Sequence, residues 1–304
     1  MFTMFKKIII ICAFLFLAAP VLYAEKKLPQ EAESDQQIND FSLSGYGEKG
    51  KKTWDLAGKS ADIFTDVVKL NEVVGNLYGK EEDIKLTADR GDFNKTDGKV
   101  HLEQNVVITT SKGTKLNTDT LDWDRKNQLI STRDVVNIQR DNMVIVAKGA
   151  SGEPNLKKVA LEKDVKLDIN PAPQESEKSS ALKEKITITC EGPLQIDYEK
   201  SSATFSNNVK VERQDSVMYS DKMDVYFTSG NKKSDAANTP ESGLMGNKID
   251  KIVARGNVRV VRGENTSYSQ EAIYSASDKK LTLTGRPKLI IYSGGSESNA
   301  STGN

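Results

Sequence analysis

One short pattern recurs along the chain and limits what it can fold into. It reads "EQNVVITT" at 103–110, "TRDVVNIQR" at 132–140, "LEKDVKLDI" at 161–169, "SNNVKVER" at 206–213 and "ARGNVRVVRG" at 254–263. Val106, Val135, Val165 and Leu194 follow one another at 29, 30 and 29 residues, and Val258 to Leu289 is 31. Val209 to Val258 is 49, which falls to 29 without the 20 residues 229–248, and Leu194 to Val209 is 15, half a unit. A steady period of this size marks stacked supersecondary units, here with two strands each. Each copy alternates apolar with polar residues and is rich in β-branched side chains, which describes a strand with one buried face.

With no crossover helices between the copies, the strands must pair as an antiparallel stack. The expected fold is all-β, an elongated antiparallel jelly roll or twisted sandwich of two stacked modules, apolar inside and polar outside. "ADIFTDVVKLNEVV" at 61–74 fits helical or strand spacing, and its Ile, Val and Thr content favours strand.

At the N-terminus, Lys6 and Lys7 precede an apolar run from Ile8 to Leu22, and "LYA" at 22–24 offers a cleavage triplet. This predicts an export signal over 1–24, with a retained membrane anchor as the alternative. Cys12 follows Ile11, where a lipid-attachment site wants a small residue. A charged spacer follows at 25–40, then one module at 41–170. The Pro- and charge-rich "NPAPQESEKSSALKEK" supplies a linker at 171–185. The second module covers 186–292, with a loop lacking apolar periodicity at 229–248 and a tail at 293–304.

Composition removes several functions. Lys plus Arg and Asp plus Glu both number 43, so no net field attracts nucleic acid. Of two cysteines, only Cys190 lies outside the N-terminal apolar run, which leaves no pair for an internal disulfide. The single histidine, His101, is out of phase with Val100 and Leu102 and should face solvent. Neither a zinc-type His/Cys spacing nor a phosphate loop occurs, so no catalytic residue, metal ligand or cofactor is assigned. "DWD" at 122–124 and "EED" at 81–83 read as solvated strand and turn residues. Trp54 and Trp123 are expected in the core, and Cys190 is expected to be a buried small hydrophobe.

Residues 86–149, "LTADRGDFNKTDGKVHLEQNVVITTSKGTKLNTDTLDWDRKNQLISTRDVVNIQRDNMVIVAKG", resemble the LptC family of membrane-tethered periplasmic proteins of lipopolysaccharide export. The upstream "FSLSGYGEKGKKTWDLAGKSADIF" looks like the start of the same module. Residues 249–287, "IDKIVARGNVRVVRGENTSYSQEAIYSASDKKLTLTGRP", are similar to the soluble LptA, or OstA-like, bridge proteins. The resemblance implies a periplasmic protein at the inner membrane, serving outer-membrane biogenesis. It would receive lipopolysaccharide from an inner-membrane ABC transporter and meet other OstA-like proteins by pairing edge strands. It departs from the family pattern in the signal, in the loop at 229–248 and in the fusion itself.

The inward apolar positions become candidate lipid-facing residues: Val106, Ile108, Val136, Ile138, Val165, Leu167, Val209, Val211, Val258 and Val260. For each of them a closed core is the alternative reading. A structural or adhesive β-solenoid and a carbohydrate-active enzyme on a β scaffold are the alternatives for the whole chain.

Overall fold

The Asn that precedes Val in three of the repeats turns out to shape the molecule. In the computed structural model, which describes residues 34–47, 50–79, 82–154, 157–171, 185–228, 248–278 and 280–292, consecutive residues adopt positive φ at these points. They are Gln104 and Asn105 (65° and 52°), Asn207 and Asn208 (64° and 52°), and Gly256 and Asn257 (76° and 46°). Asn tolerates the left-handed region better than other side chains, and Gly adopts it freely.

The N-terminal apolar run, residues 25–33 of the spacer, 172–184 of the linker, 229–247 of the loop and the tail 293–304 lie outside the described residues.

Nine strands build the first part: β1 (Gln36–Tyr46), β2 (Lys52–Ile63), β3 (Val67–Tyr78), β4 (Asp83–Asn94), β5 (Lys99–Thr110), β6 (Lys115–Asp124), β7 (Leu129–Arg140), β8 (Met143–Gly152) and β9 (Lys158–Ile169). The rest comprises β10 (Ile186–Cys190), β11 (Leu194–Asp197), β12 (Ser202–Arg213), β13 (Ser216–Thr228), β14 (Lys248–Arg262), β15 (Asn265–Ser275), β16 (Lys280–Thr284) and β17 (Lys288–Ile290). No α-helix occurs among the described residues. The ambiguous stretch at 61–74 is strand on both sides of a turn at 64–66, closed by Phe64 N donating to Val67 O.

All pairings are antiparallel and run as a meander, each strand beside its neighbour in sequence. β10 and β11 are two halves of one line, and both pair with β9 and β12. β16 and β17 share β15 in the same way. The sheet therefore passes without interruption from β9 into β10 and β11. Two strands per repeat unit is the structural period. The interval from Val165 to Leu194 is the exception, because β11 lies directly beside β9. That stretch takes one strand step plus the linker.

Each positive-φ site is a bulge where the register slips: Glu103/Val106 on β5, Ser206/Val209 on β12 and Arg255/Val258 on β14. Asp164 before Val165 (φ 51°) and Gly149 opposite the "RDV" copy (φ 78°) continue the line. At three of these points the Asn amide also donates to a carboxylate one strand away. Asn105 reaches Asp89 at 2.6 Å, Asn208 reaches Glu191 at 2.7 Å and Asn257 reaches Asp221 at 2.9 Å. A bulge bends its strand and increases the local twist. Bulges aligned across neighbouring strands therefore fold the sheet over along a common seam. The apolar residues after the seam are brought to a shared interior with those before it.

That interior holds a small cluster at 61–121, a large one at 136–227 and a third at Ala254, Val258 and Ala272. The large cluster joins Leu161, Val165, Leu167 and Ile169 of β9 to Ile188, Leu194, Ile196 and Phe205 beyond the linker. The two modules thus share both a sheet and a core.

Candidate functional site

All ten candidate lipid-facing residues point inward. Val106, Val136, Ile138, Val165, Leu167, Val209 and Val258 are buried. Ile108, Val211 and Val260 are partly buried and pack against the three clusters. Their common orientation follows from the bulges. Val106, Val165, Val209 and Val258 each come immediately after a left-handed residue, and alternation then sends Ile108, Leu167, Val211 and Val260 to the same side.

The inner face is exposed where the sheet ends. β1 pairs only with β2, and β16 and β17 pair only with β15. Ile38 and Leu43 of β1 oppose Ala61 and Leu56 of the first cluster, so they share its face, yet they are 45% and 55% exposed. At the far end Leu281 and Leu289 lie on the face of the last cluster, 48% and 59% exposed. Directly opposed residues of an antiparallel pair share a face, so the apolar interior extends to both free edges and meets solvent there. The sequence reading placed Ile38 in a spacer. A left-handed residue at Asp40 (φ 50°) shifts the phase of β1 and hides its alternation.

A polar rim borders this interior. Arg140 continues the inward phase of Val136 and Ile138, and Tyr198 that of Leu194 and Ile196. Tyr198 packs on the large cluster and meets Phe227 edge-on at 6.0 Å. Burial pushes its hydroxyl up to about 12, opposed by the charge of Arg140 and reinforced by that of Glu82. Arg140 Nε and Glu82 Oε1 are buried without a hydrogen-bond partner. Glu82 therefore departs from the solvated role expected of "EED".

Outside, the charged residues pair with one another. His101 Nδ1 lies 2.7 Å from Asp122 on the solvent side, as its phase predicted. Arg255 binds Asp224 and reaches Glu271 at 2.9 Å, while Thr204 donates to Asp224 at 2.8 Å. Cys190 is buried, and burial pushes its thiol up against opposing hydrogen bonds from Ser206 and Gly192. Trp54 is not in the core. It is 40% exposed, with its ring over Gly45, where a β-carbon would collide with it. Trp123 is half-buried, and its Nε1 has no partner. Among the described residues no group of three or more His, Cys, Asp or Glu is placed to hold a metal ion.

A folded antiparallel meander with an apolar inner face open at both ends is the architecture expected of the lipopolysaccharide bridge proteins. Residues 7–170 match the family of lipopolysaccharide-assembly, LptC-related proteins. The chain belongs to that LptC-related family. Residues 193–304 match a second family, the LptA/(LptD N-terminal domain) LPS transport proteins. No curated protein matches the chain. This LptC-related chain thus carries two lipopolysaccharide-transport modules in one polypeptide. The first match ends beside the C-terminus of β9 and the second begins at Pro193, just before β11. The β9–β11 pairing, Leu161 to Leu194 through Lys158 to Asp197, therefore joins the two matched regions.

Proposed function

We propose that this protein receives lipopolysaccharide from an inner-membrane ABC transporter at the periplasmic face and passes it along the inner apolar face to the next OstA-like protein. The observation that carries this reading is the interior that runs from β1 to β17 and surfaces at both free edges. Each methylene removed from water contributes about 0.8 kcal/mol, so about ten buried methylenes of one acyl chain supply on the order of 8 kcal/mol. No covalent step is needed. The unpaired backbone groups of β1 at one end and of β16 and β17 at the other are suited to strand addition by partner proteins. The exposed Ile38, Leu43, Leu281 and Leu289 would then be covered, and the apolar face would continue into the partner. No helix among the described residues is long and apolar enough to cross a membrane. Attachment to the inner membrane would rest on the apolar N-terminal run.

The test is photo-crosslinking in cells that export lipopolysaccharide. A photoreactive residue replacing Ile138, Leu167 or Val209 is expected to give lipopolysaccharide adducts. The same residue at Gln139, exposed on the opposite face of β7, is expected to give none. Adducts of equal yield at Gln139, or no adduct at any inward position, would refute passage along this face.

A further inference from the structure

A second regularity follows the line of bulges on the inner face. Val106 opposes Thr118, Val136 opposes Ala147 and Val165 opposes Cys190. Further on, Val209 opposes Ser220 and Val258 opposes Ser269. Directly opposed residues share a face, so each inward valine has a small inward neighbour, and every one of these residues is buried. The polarity of the small neighbour changes along the sheet. The Thr118 hydroxyl lies 3.4 Å from that of Thr132 and is paired with it, Ala147 has no polar side-chain atom, and Cys190 acts as a small hydrophobe. Ser220 and Ser269 differ: they are 5% and 7% exposed, and neither Oγ has a hydrogen-bond partner. Unmet hydroxyls thus stand only at the last two steps, nearest the free edge formed by β16 and β17.

We propose that Ser220 and Ser269 hold a hydroxyl borne on an acyl chain of the carried lipid, and so favour hydroxylated chains over plain hydrocarbon at the β17 end of the path. This rests on the reading that lipid travels along the inner face. A plain chain lying over the last two steps covers both serine hydroxyls and leaves them unpaired in an apolar setting, which is costly. A chain hydroxyl removes that cost, because it donates and accepts as a serine hydroxyl does. Ester oxygens only accept, and they sit beside the headgroup rather than along the chain.

Ser220 on β13 and Ser269 on β15 are separated by one strand, hence by about 9 to 10 Å, too far for one hydroxyl to bond both. A chain hydroxyl is therefore held at Ser220 first and at Ser269 next as the chain advances towards the edge. Ser269 is the last stop. Tyr268 pairs with Lys288 and Glu271 with Thr284, so the outer side of Ser269 faces the break between β16 and β17. In the first module the corresponding hydroxyl, Thr118, is already satisfied by Thr132, so the preference belongs to the second module alone.

The experiment measures how tetradecanoate and its 3-hydroxy and 12-hydroxy derivatives displace an environment-sensitive apolar fluorophore from the full-length chain. At least one hydroxylated acid is expected to bind about tenfold tighter than tetradecanoate. S220A/S269A is expected to abolish that preference by weakening the hydroxylated acid about tenfold while tetradecanoate binds as before. Its unfolding midpoint should be unchanged or higher, since only unpaired buried hydroxyls are removed; a merely structural role for the serines would instead shift all three acids together. A second arm titrates lipopolysaccharide from the cells that make the protein: weaker binding to S220A/S269A identifies a lipid-borne chain, and weakening of the free hydroxylated acid alone overturns the assignment to the carried lipid. If plain and hydroxylated acids bind equally, the selectivity is refuted while lipid carriage stands. If neither displaces the fluorophore, carriage along this face fails and the selectivity falls with it.

Discussion

Asn208 offers a direct test of why one short pattern recurs through this chain. Its φ of 52° puts it in the left-handed region, one residue before the buried Val209, and its amide donates to Glu191 Oε1 at 2.7 Å. Two contributions can be separated by substitution. Asn208→Gly keeps the backbone conformation free of strain and loses only an exposed hydrogen bond, about 0.5 to 1 kcal/mol. Asn208→Val loses the same bond and forces a β-branched side chain into the left-handed region, which adds about 1 to 2 kcal/mol. The expected destabilisations are therefore about 0.5 to 1 for Gly and about 1.5 to 3 kcal/mol for Val. Urea unfolding read by circular dichroism reports them as shifts in midpoint at constant slope. Asn105, at the same point of an earlier repeat, should give the same order. If the Gly and Val variants shift the midpoint equally, or if Gly is the worse, backbone conformation is not what the recurring Asn supplies and the seam argument fails.

At the first rim of the sheet, hydrogen bonds from Lys52, Asn76 and Tyr78 lower the Asp55 carboxyl to about 2. The folded value lies below the unfolded one of about 3.9, so this contribution is fully present above about pH 4 and is lost as pH falls towards 2. Denaturation midpoints of the parent should drop through that window more steeply than those of Asp55→Asn, and parallel curves would count against the assignment. Burial raises the Cys190 thiol, so in a Cys12→Ser background a thiol reagent at pH 8 should leave the folded protein unlabelled and modify it fully in urea. The sign of the pH effect is opposite to that of Asp55: stability from this group is present below the unfolded value of about 8.5 and declines as pH rises above it. Rapid labelling of the native protein would place Cys190 at the surface.

The strand repeat and the inward phase of Val106, Val165, Val209 and Val258 are legible in the sequence because alternation and burial follow the same period of two. What the alternation cannot convey is the bulge. A left-handed residue changes the phase without changing composition: one precedes Val165 but none precedes Val135 on β7, so Val135 looks like the counterpart of Val165, yet it is exposed while Val136 is buried. The same slip at Asp40 conceals β1 within an apparent spacer. Trp54 misleads for a different reason: its size predicts burial, but Gly45 across the pair gives the ring a shallow seat on the surface. Arg140 and Tyr198 follow the inward alternation of their strands, but a charged and a hydroxyl-bearing side chain at a strand end read as solvent-facing, and their burial depends on neighbours from other strands.

The fusion of two modules also bears on which edges remain for partners. An antiparallel stack exposes one edge at each end, and every strand between is paired on both sides. Here the β9 edge is occupied by β10 and β11 from the same chain, with Leu161 and Leu167 fully buried in a cluster that includes Leu194, Ile196 and Phe205 from beyond the linker. Opening that joint would expose the centre of the largest core, whereas opening a contact at β1 or β17 exposes only residues already in solvent. The cost of separation is therefore high in the middle and low at the ends. A stack with this distribution keeps its two modules together while remaining able to gain and lose neighbours. The proposed hand-over of lipid to partners at the tips would require that distribution.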